Sequence, residues 1–217
     1  MEVFTHYKEH NNVGLRWRTL LRYGDSWDII GSMVMINPGS SKPLGEAISD
    51  NELLEHLGAF DKSGEAWFSF SEDAAMRHTG ELFAKLYGKE NRHQLNGVIQ
   101  IFNLFYIMNP DLESALDQDR IFLSENIYPS SSENDANQLV APVYLGYGKN
   151  GHDVRFREKA QIFFEQAVAL NNKYKQGNDY LDVDFSKNPF TYPSYLMGRG
   201  KNQNISKVIT TKFLTLK

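Results

Sequence analysis

Two patterns alternate along this chain: short apolar runs that stop at asparagine, glycine or proline, and longer stretches with apolar side chains every three or four positions. Leu15–Arg22 and Trp27–Ile36 read as two strands around Tyr23-Gly24-Asp25-Ser26, a hairpin turn signal. The second ends in Met33-Val34-Met35-Ile36, an unbroken apolar run that suits a central strand buried on both faces. Asn37-Pro38-Gly39-Ser40-Ser41 then breaks it. Val98–Phe102 reads as a second buried strand, ending at Asn103, and Leu139–Leu145 as a third, ending at Gly146. Pro142 restricts the third, because proline donates nothing to a ladder and prefers strand starts, edges and bulges.

Helical signals fall between these runs. Residues 50–58 read as a short helix. Ser71-Glu72-Asp73 is a helix start, with Ser71 as the capping serine followed by acids near the positive end of the dipole. Met76, Leu82, Phe83 and Leu86 follow at roughly helical spacing, and Gly88 ends the segment. In Asp153–Leu170 the residues Phe156, Ala160, Phe163, Ala167 and Leu170 keep the helical period. The first twelve residues are polar and read as frayed. The alternation predicts one α/β domain over residues 1–217, a three-layer α/β/α sandwich whose central sheet is mostly parallel, with an N-terminal hairpin. Ligands of such sheets sit beyond the carboxyl ends of the strands. Asn37, Asn103 and Gly146 are the residues expected there.

Composition narrows the class. The 217 residues are 41% hydrophobic and 23% charged, as in a globular protein rather than a disordered or fibrous one. There is no cysteine, so a disulfide framework, a thiolate zinc site, an iron–sulfur cluster and a cysteine nucleophile are excluded. No apolar run approaches the ~18 residues of a membrane span, and the first residues lack the apolar core of a signal peptide. The expectation is a cytoplasmic protein with no membrane partner; its oligomeric state is open. The formal charge is −4, without a broad basic footprint. It is unevenly spread: residues 199–217 carry five bases and no acid, leaving 18 bases against 27 acids, or −9, on the rest. The basic tail reads as a solvated segment or as a phosphate contact.

Several motifs carry candidate chemistry. In Asn37-Pro38-Gly39-Ser40-Ser41, proline fixes φ and glycine allows a sharp turn, so the following amides are free to cradle a phosphate or carbonyl oxygen. Asn37 offers an amide with donor and acceptor. The same residues also make an ordinary strand-to-loop turn. Asn103, in Phe102-Asn103-Leu104-Phe105-Tyr106, is a polar amide among apolar neighbours. It either satisfies nearby backbone or reads a ligand edge, with aromatics such as Phe105 available for stacking or for the core. Gly146-Tyr147-Gly148-Lys149-Asn150-Gly151 is a literal G-x-G-x-x-G between a strand and a helix. The acid that should follow about 20 residues on is misplaced, since Asp182 and Asp184 lie more than 30 residues past Gly146. No dinucleotide cofactor is therefore expected. His6-Tyr7-Lys8-Glu9-His10 is a literal H-x-x-E-H without an apolar helical stripe, and no metal is assigned to it. Thr191-Tyr192-Pro193-Ser194 offers a tight loop, and Arg199 a phosphate clamp or a surface charge.

The order of these pieces resembles a bacterial family catalogued as domain of unknown function 1643. The resemblance runs from Arg16–Arg22 through Met35-Ile36-Asn37-Pro38-Gly39-Ser40-Ser41, Phe102-Asn103-Leu104-Phe105 and Leu145-Gly146-Tyr147-Gly148 to Tyr192-Pro193-Ser194-Tyr195-Leu196. The chain departs from that pattern at Gly39, at Leu145 and by an insertion around residues 60–95. More distantly the layout is similar to the uracil-DNA glycosylase superfamily, whose mismatch-directed branch carries G-I-N-P-G after its first strand. That likeness implies a glycosylase-like sheet and a nucleic acid or nucleotide as partner. Asn37 would be the catalytic residue that positions water against C1′. Asn103 would read the base, and Ser194 with Arg199 would pin the backbone. Pro38, Gly39, Ser40, Ser41, Phe105, Tyr192 and Pro193 complete the expected substrate-binding set. The histidine common before Pro-Ser is Tyr192 here. The function expected is nucleobase- or nucleotide-directed N-glycosidic hydrolysis; a non-catalytic nucleotide or small-ligand binder and an interaction protein without a ligand are the alternatives.

Overall fold

The computed structural model describes residues 1–125, 127, 130–171 and 184–193. Six strands, β1 (Glu2–His10), β2 (Val13–Tyr23), β3 (Ile29–Met35), β4 (Trp67–Ser69), β5 (Gly97–Asn103) and β6 (Val143–Leu145), form one sheet in the order β4-β1-β2-β5-β3-β6. The helices are α1 (Asn51–Gly58), α2 (Ala74–Leu86), α3 (Leu112–Ser124) and α4 (Arg157–Asn171). Asp50, Asp73 and Asp111 cap the first three, each accepting a backbone N–H with its side chain. At α2 this corrects the expected Ser71 cap, since the Ser71 hydroxyl donates to the Lys42 carbonyl instead. No helix among the described residues is long and apolar enough to cross a membrane.

The sheet is mixed and corrects the expectation of a mostly parallel one. Pairings β1–β2, β1–β4 and β2–β5 are antiparallel, and only β5–β3 and β3–β6 are parallel. The difference arises at the N-terminus, which is not frayed. Val3, Phe4, Thr5 and His6 are buried in β1. The hairpin partner of β2 is β1, through Asn11 and Asn12 at φ 50° and 62°. Two left-handed central residues define a type I′ turn, whose twist matches that of paired strands. The signal at residues 23–26 serves another purpose. Asn96 Oδ1 accepts the N–H groups of Asp25 and Ser26, each at 3.0 Å, and β5 lies between β2 and β3.

A second irregularity sits in β2. Pairing with β1 slips between Phe4 and His6, where β2 carries one extra residue, and Arg18 adopts φ 48°. Such a bulge reverses the in–out alternation. Leu15 and Trp17 therefore join the apolar cluster that includes α3 and α4, whereas Leu21 and Tyr23 join the cluster that includes α2. Strands β3 and β5 alternate between the same two clusters: Val34 and Phe102 in the first, Met33, Met35, Ile99 and Ile101 in the second. Leu57 of α1 packs in a third, with Leu20 and Val98.

Gly31 of β3 fixes how closely α2 approaches. At φ 149°, a Cβ there would stand 2.3 Å from Phe83 Cε1 and 2.8 Å from the Pro142 carbonyl. Gly31→Ala is expected to cost about 2–3 kcal/mol, from backbone strain and overpacking together. Chemical denaturation measures it.

The three strands read as central from their apolar runs are parallel neighbours, and their carboxyl ends share one edge. The ladder continues past the strands, with Leu104 N–H donating to Met35 at 2.9 Å and Gly146 N–H to Val34 at 2.7 Å. Because β2 runs antiparallel to β5, its beginning reaches the same edge, where Arg16 N–H donates to the Tyr106 carbonyl at 2.9 Å.

Candidate functional site

Asn37, Gly39 and Asn103 meet at that edge. Together with Arg16 and Asp73 they line a cavity of about 10 Å³. Such a space admits about one water molecule. Each wall has a local origin. Asn37 leaves β3 as the apolar run stops, Asn103 is the last residue of β5, Arg16 lies in the first half of β2, and Asp73 is the N-cap of α2.

The Asn37 side chain is partly committed. Its Nδ2 donates to the carbonyls of Pro38 at 3.2 Å and Asn109 at 3.0 Å. Both amide hydrogens are thereby used, and the side chain has only its oxygen left as an acceptor. Asn109 in turn accepts the Asp111 N–H at 3.0 Å, and Asp111 caps α3. Asn37 thus clamps the loop after β3 to the loop after β5.

Asp73 divides its two oxygens. Oδ1 accepts the Met76 N–H at 2.9 Å, while Oδ2 lies 3.7 Å from Arg16 Nη2. Arg16 is only 4% exposed, and its Nε and Nη1 find no hydrogen-bond partner among the described residues. Burial draws the Arg16 guanidinium down to about 10, against the opposing pull of Asp73, so it stays cationic at neutral pH. A buried cation with idle donors is costly unless something accepts from it. A Cβ on Gly39 would stand 3.0 Å from Asp73 Oδ2, so glycine lets this loop pass close to the carboxylate.

The late segment joins the edge from the other side. Burial, and then the charge of Asp73, push the Tyr192 hydroxyl up to about 12, opposed by a hydrogen bond with the Ile36 backbone. Pro193 Cδ lies 3.1 Å from where a Cβ of Gly146 would be, at the end of β6. Tyr144 Oη holds the segment through the Thr191 carbonyl at 2.7 Å.

The other expected site residues are placed differently. Pro38 is buried and Ser40 exposed. Ser41 donates its hydroxyl to the Ser71 carbonyl, which ties its loop to the start of α2 rather than to the cavity. Phe105 stacks on Phe156 at 5.2 Å and 13°, lining a separate cavity beside α3 and α4. Ser194, Arg199 and the basic tail lie outside the described residues.

Two literal motifs resolve into packing. Gly151 of the G-x-G-x-x-G lies under the Tyr147 ring, where a Cβ would stand 2.2 Å from Cε2; Tyr147 is buried and donates to the Ala160 carbonyl at 3.1 Å. Asp184 caps a 3-10 turn at Phe185–Lys187, and Asp182 lies outside the described residues. His6 and His10 are on strand β1, so the one-face helical spacing of H-x-x-E-H does not arise. His6 packs on Trp67 and contacts Asp61 at 3.1 Å, and no metal-capable group of three His, Cys, Asp or Glu occurs among the described residues.

Arg16 and Asp73 were not expected in the site. The signal for Arg16 was a base between Leu15 and Trp17 in the strand-like Leu15–Arg22 segment, which alternation sends to solvent. For Asp73 it was the acid in the Ser71-Glu72-Asp73 helix start, which placed the carboxylate near a helix end without saying what it faces. No protein-family model, no curated protein and no solved structure matches this chain.

Proposed function

We propose that the protein acts on a nucleobase-bearing ligand at the shared edge of β3, β5 and β6, as an N-glycosidic hydrolase on a three-layer, uracil-DNA-glycosylase-like frame. The observation that carries this reading is the convergence of Asn37, Gly39 and Asn103 on one water-sized cavity, with Arg16 and Asp73 in its wall. A glycosidic bond breaks through a cationic sugar and an anionic base, so water must be oriented on one side and negative charge stabilised on the other. Asn37 Oδ1 and the Asp73 carboxylate are acceptors that orient the water. The idle Nε–H and Nη1–H of Arg16 are donors for the anion that develops. Asn103 reads the base edge. The order of motifs shared with domain of unknown function 1643 supports placing the chain near that family.

A non-catalytic nucleotide binder is the second reading. It is favoured by the commitment of both Asn37 amide hydrogens to backbone carbonyls.

The test is release of free base from single-stranded and mismatched oligonucleotides, nucleosides and nucleotides, read by chromatography. Base release above blank is expected for at least one substrate class. Asn103→Asp should alter the preference between uracil and cytosine, because an acceptor replaces an amide donor. If no base is released but a nucleotide binds in calorimetry, the binder reading stands. If neither occurs, both readings fall.

A further inference from the structure

A larger cavity, of about 320 Å³, opens between α3, α4 and the 3-10 segment Ser130–Gln138, apart from the Asn37 edge. Its body is aromatic, formed by Phe105, Phe156 and Phe163, and Leu123 and Ile162 at its wall are 60% and 50% exposed. Its depth is ionic. Lys159 Nζ donates to Tyr106 Oη at 2.6 Å, and Tyr106 Oη donates to Asp135 Oδ2 at 2.5 Å. Asp135 also lies 3.4 Å from Arg18, which lies 3.5 Å from Asp61.

Asp119, on α3, stands in the same cavity but outside this chain of contacts. It is 7% exposed, and its Oδ1 is buried without a hydrogen-bond partner among the described residues. Of the buried charged side chains at the cavity, Asp135 has Tyr106 and Arg18 as partners and Lys159 has Tyr106, whereas Asp119 feels Lys159 through charge without a direct bond among the described residues. Arg155, at the cavity wall, is already used: its Nε and Nη2 donate to the two oxygens of Asp153 at 2.9 and 2.7 Å. Among the described residues, Asp119 is therefore the charged group at the cavity that has no direct partner, and a ligand cation can supply one.

We propose that this cavity is a second ligand site, taking an organic ammonium with an aromatic or apolar body. The cation pairs with Asp119, and the body fills the space among Phe105, Phe156 and Phe163. Aromatic faces add to the attraction for a cation, and a carboxylate accepting from an ammonium in a water-poor site is among the stronger hydrogen bonds. Burial holds the Asp119 carboxyl up at about 6, with Lys159 opposing, so at pH 8 it is charged and ready to pair. Lys159 and Arg155 of α4 and Asp135 of the 3-10 segment are the other charged groups at the cavity.

The test compares phenethylamine with its neutral and anionic analogues, 2-phenylethanol and phenylacetate, by calorimetry and saturation-transfer NMR at pH 8. The amine should bind at least about tenfold more tightly than the alcohol, and phenylacetate should not bind, given the worth of a charge-assisted hydrogen bond. Asp119→Asn should erase the preference for the amine while leaving the alcohol unchanged. At pH 5 the wild type should lose the same preference, because Asp119 is then protonated. Leu123→Trp, which fills the cavity from its outer wall, should abolish binding of both; circular dichroism verifies that each variant is folded. Equal binding of amine and alcohol, no binding of any probe, or an amine preference that survives in folded Asp119→Asn would overturn the proposal.

Discussion

Arg18→Met is expected to destabilise the protein by about 3–5 kcal/mol, the range for breaking a buried ionic group by removing one partner. Arg18 is 1% exposed and joins three parts of the chain. Its Nε lies 3.5 Å from Asp61, its Nη2 lies 3.4 Å from Asp135, and its Nη1 donates to the Phe60 carbonyl at 3.3 Å and to Gln138. Its charge also sits over the Phe102 ring, 5.4 Å from the centroid. Methionine replaces much of the stem but none of the charge. Asp61 then retains His6, whose own pKa is lowered by burial, and Asp135 retains Tyr106. Two carboxylates would remain in low dielectric without their shared cation.

The pH dependence separates charge from packing. In the wild type, burial already raises the Asp135 pKa, with Lys159, Tyr106 and Arg18 opposing. A carboxyl whose folded pKa is raised favours the folded state while protonated and penalises it as pH rises through that value. Removing Arg18 raises it further. The deficit of the variant should therefore be largest at neutral pH and should shrink on acidification. Urea unfolding at pH 7.5 and pH 5 measures both. A deficit that is small, or that does not change with pH, would assign Arg18 to packing.

The bulge that buries Arg18 also marks how far the sequence was readable. The apolar runs at 33–36 and 98–102 and the stretch Leu139–Leu145 identified the parallel strands, because strands buried on both faces are mainly apolar; their polar members Ser32 and Gln100 bond to Val140 and Gln138. Residues 50–58 read as a short helix and became α1, the helix start at Ser71-Glu72-Asp73 placed α2, although its cap is Asp73 rather than Ser71, and the 3.6-residue period placed α4. Strand β1 was missed because the buried run Val3-Phe4-Thr5-His6 is half polar. Its polar members are satisfied by distant groups: Thr5 by the Trp17 carbonyl at 2.9 Å, and His6 by Ala66 and Asp61. A window along the chain contains none of these partners. The turn at residues 23–26 misled for the same reason, since Asn96 is what holds it. Helix α3 carries Leu112, Ala115, Leu116 and Phe122 at helical spacing, with Asp119 on the same stripe. An acid in an apolar stripe weakens the helical signal and is also the mark of the α3–α4 cavity. At the Asn37 edge the strand-end asparagines were legible. Arg16 was not, because the antiparallel run of β2 that delivers it depends on the β1–β2 hairpin.

Asn37→Ala is expected to lower base release by about 10²-fold, the order seen when one positioned polar group is lost from a transition state. An amide has no proton to take at neutral pH, so the task assigned to Asn37 is orientation of water through Oδ1. The same substitution also removes the bonds to Pro38 and Asn109, at a cost of about 1–2 kcal/mol in stability for two ordinary hydrogen bonds. A loss of turnover alone therefore leaves two explanations, a missing acceptor or a loosened loop, and Asn37→Asp divides them. Aspartate keeps an oxygen in the Oδ1 role but faces the Pro38 and Asn109 carbonyls with a second oxygen, so the clamp is lost more completely than in the alanine variant. If Oδ1 orients the water, Asn37→Asp should retain more than about a tenth of wild-type turnover while being at least as unstable as Asn37→Ala, since the lost order of magnitude tracks the acceptor. Single-turnover base release and urea unfolding on the three proteins give both quantities. If the aspartate variant is as inactive as the alanine variant and both losses follow stability, Asn37 serves as a loop clamp and another group in the Arg16–Asp73 wall must hold the water.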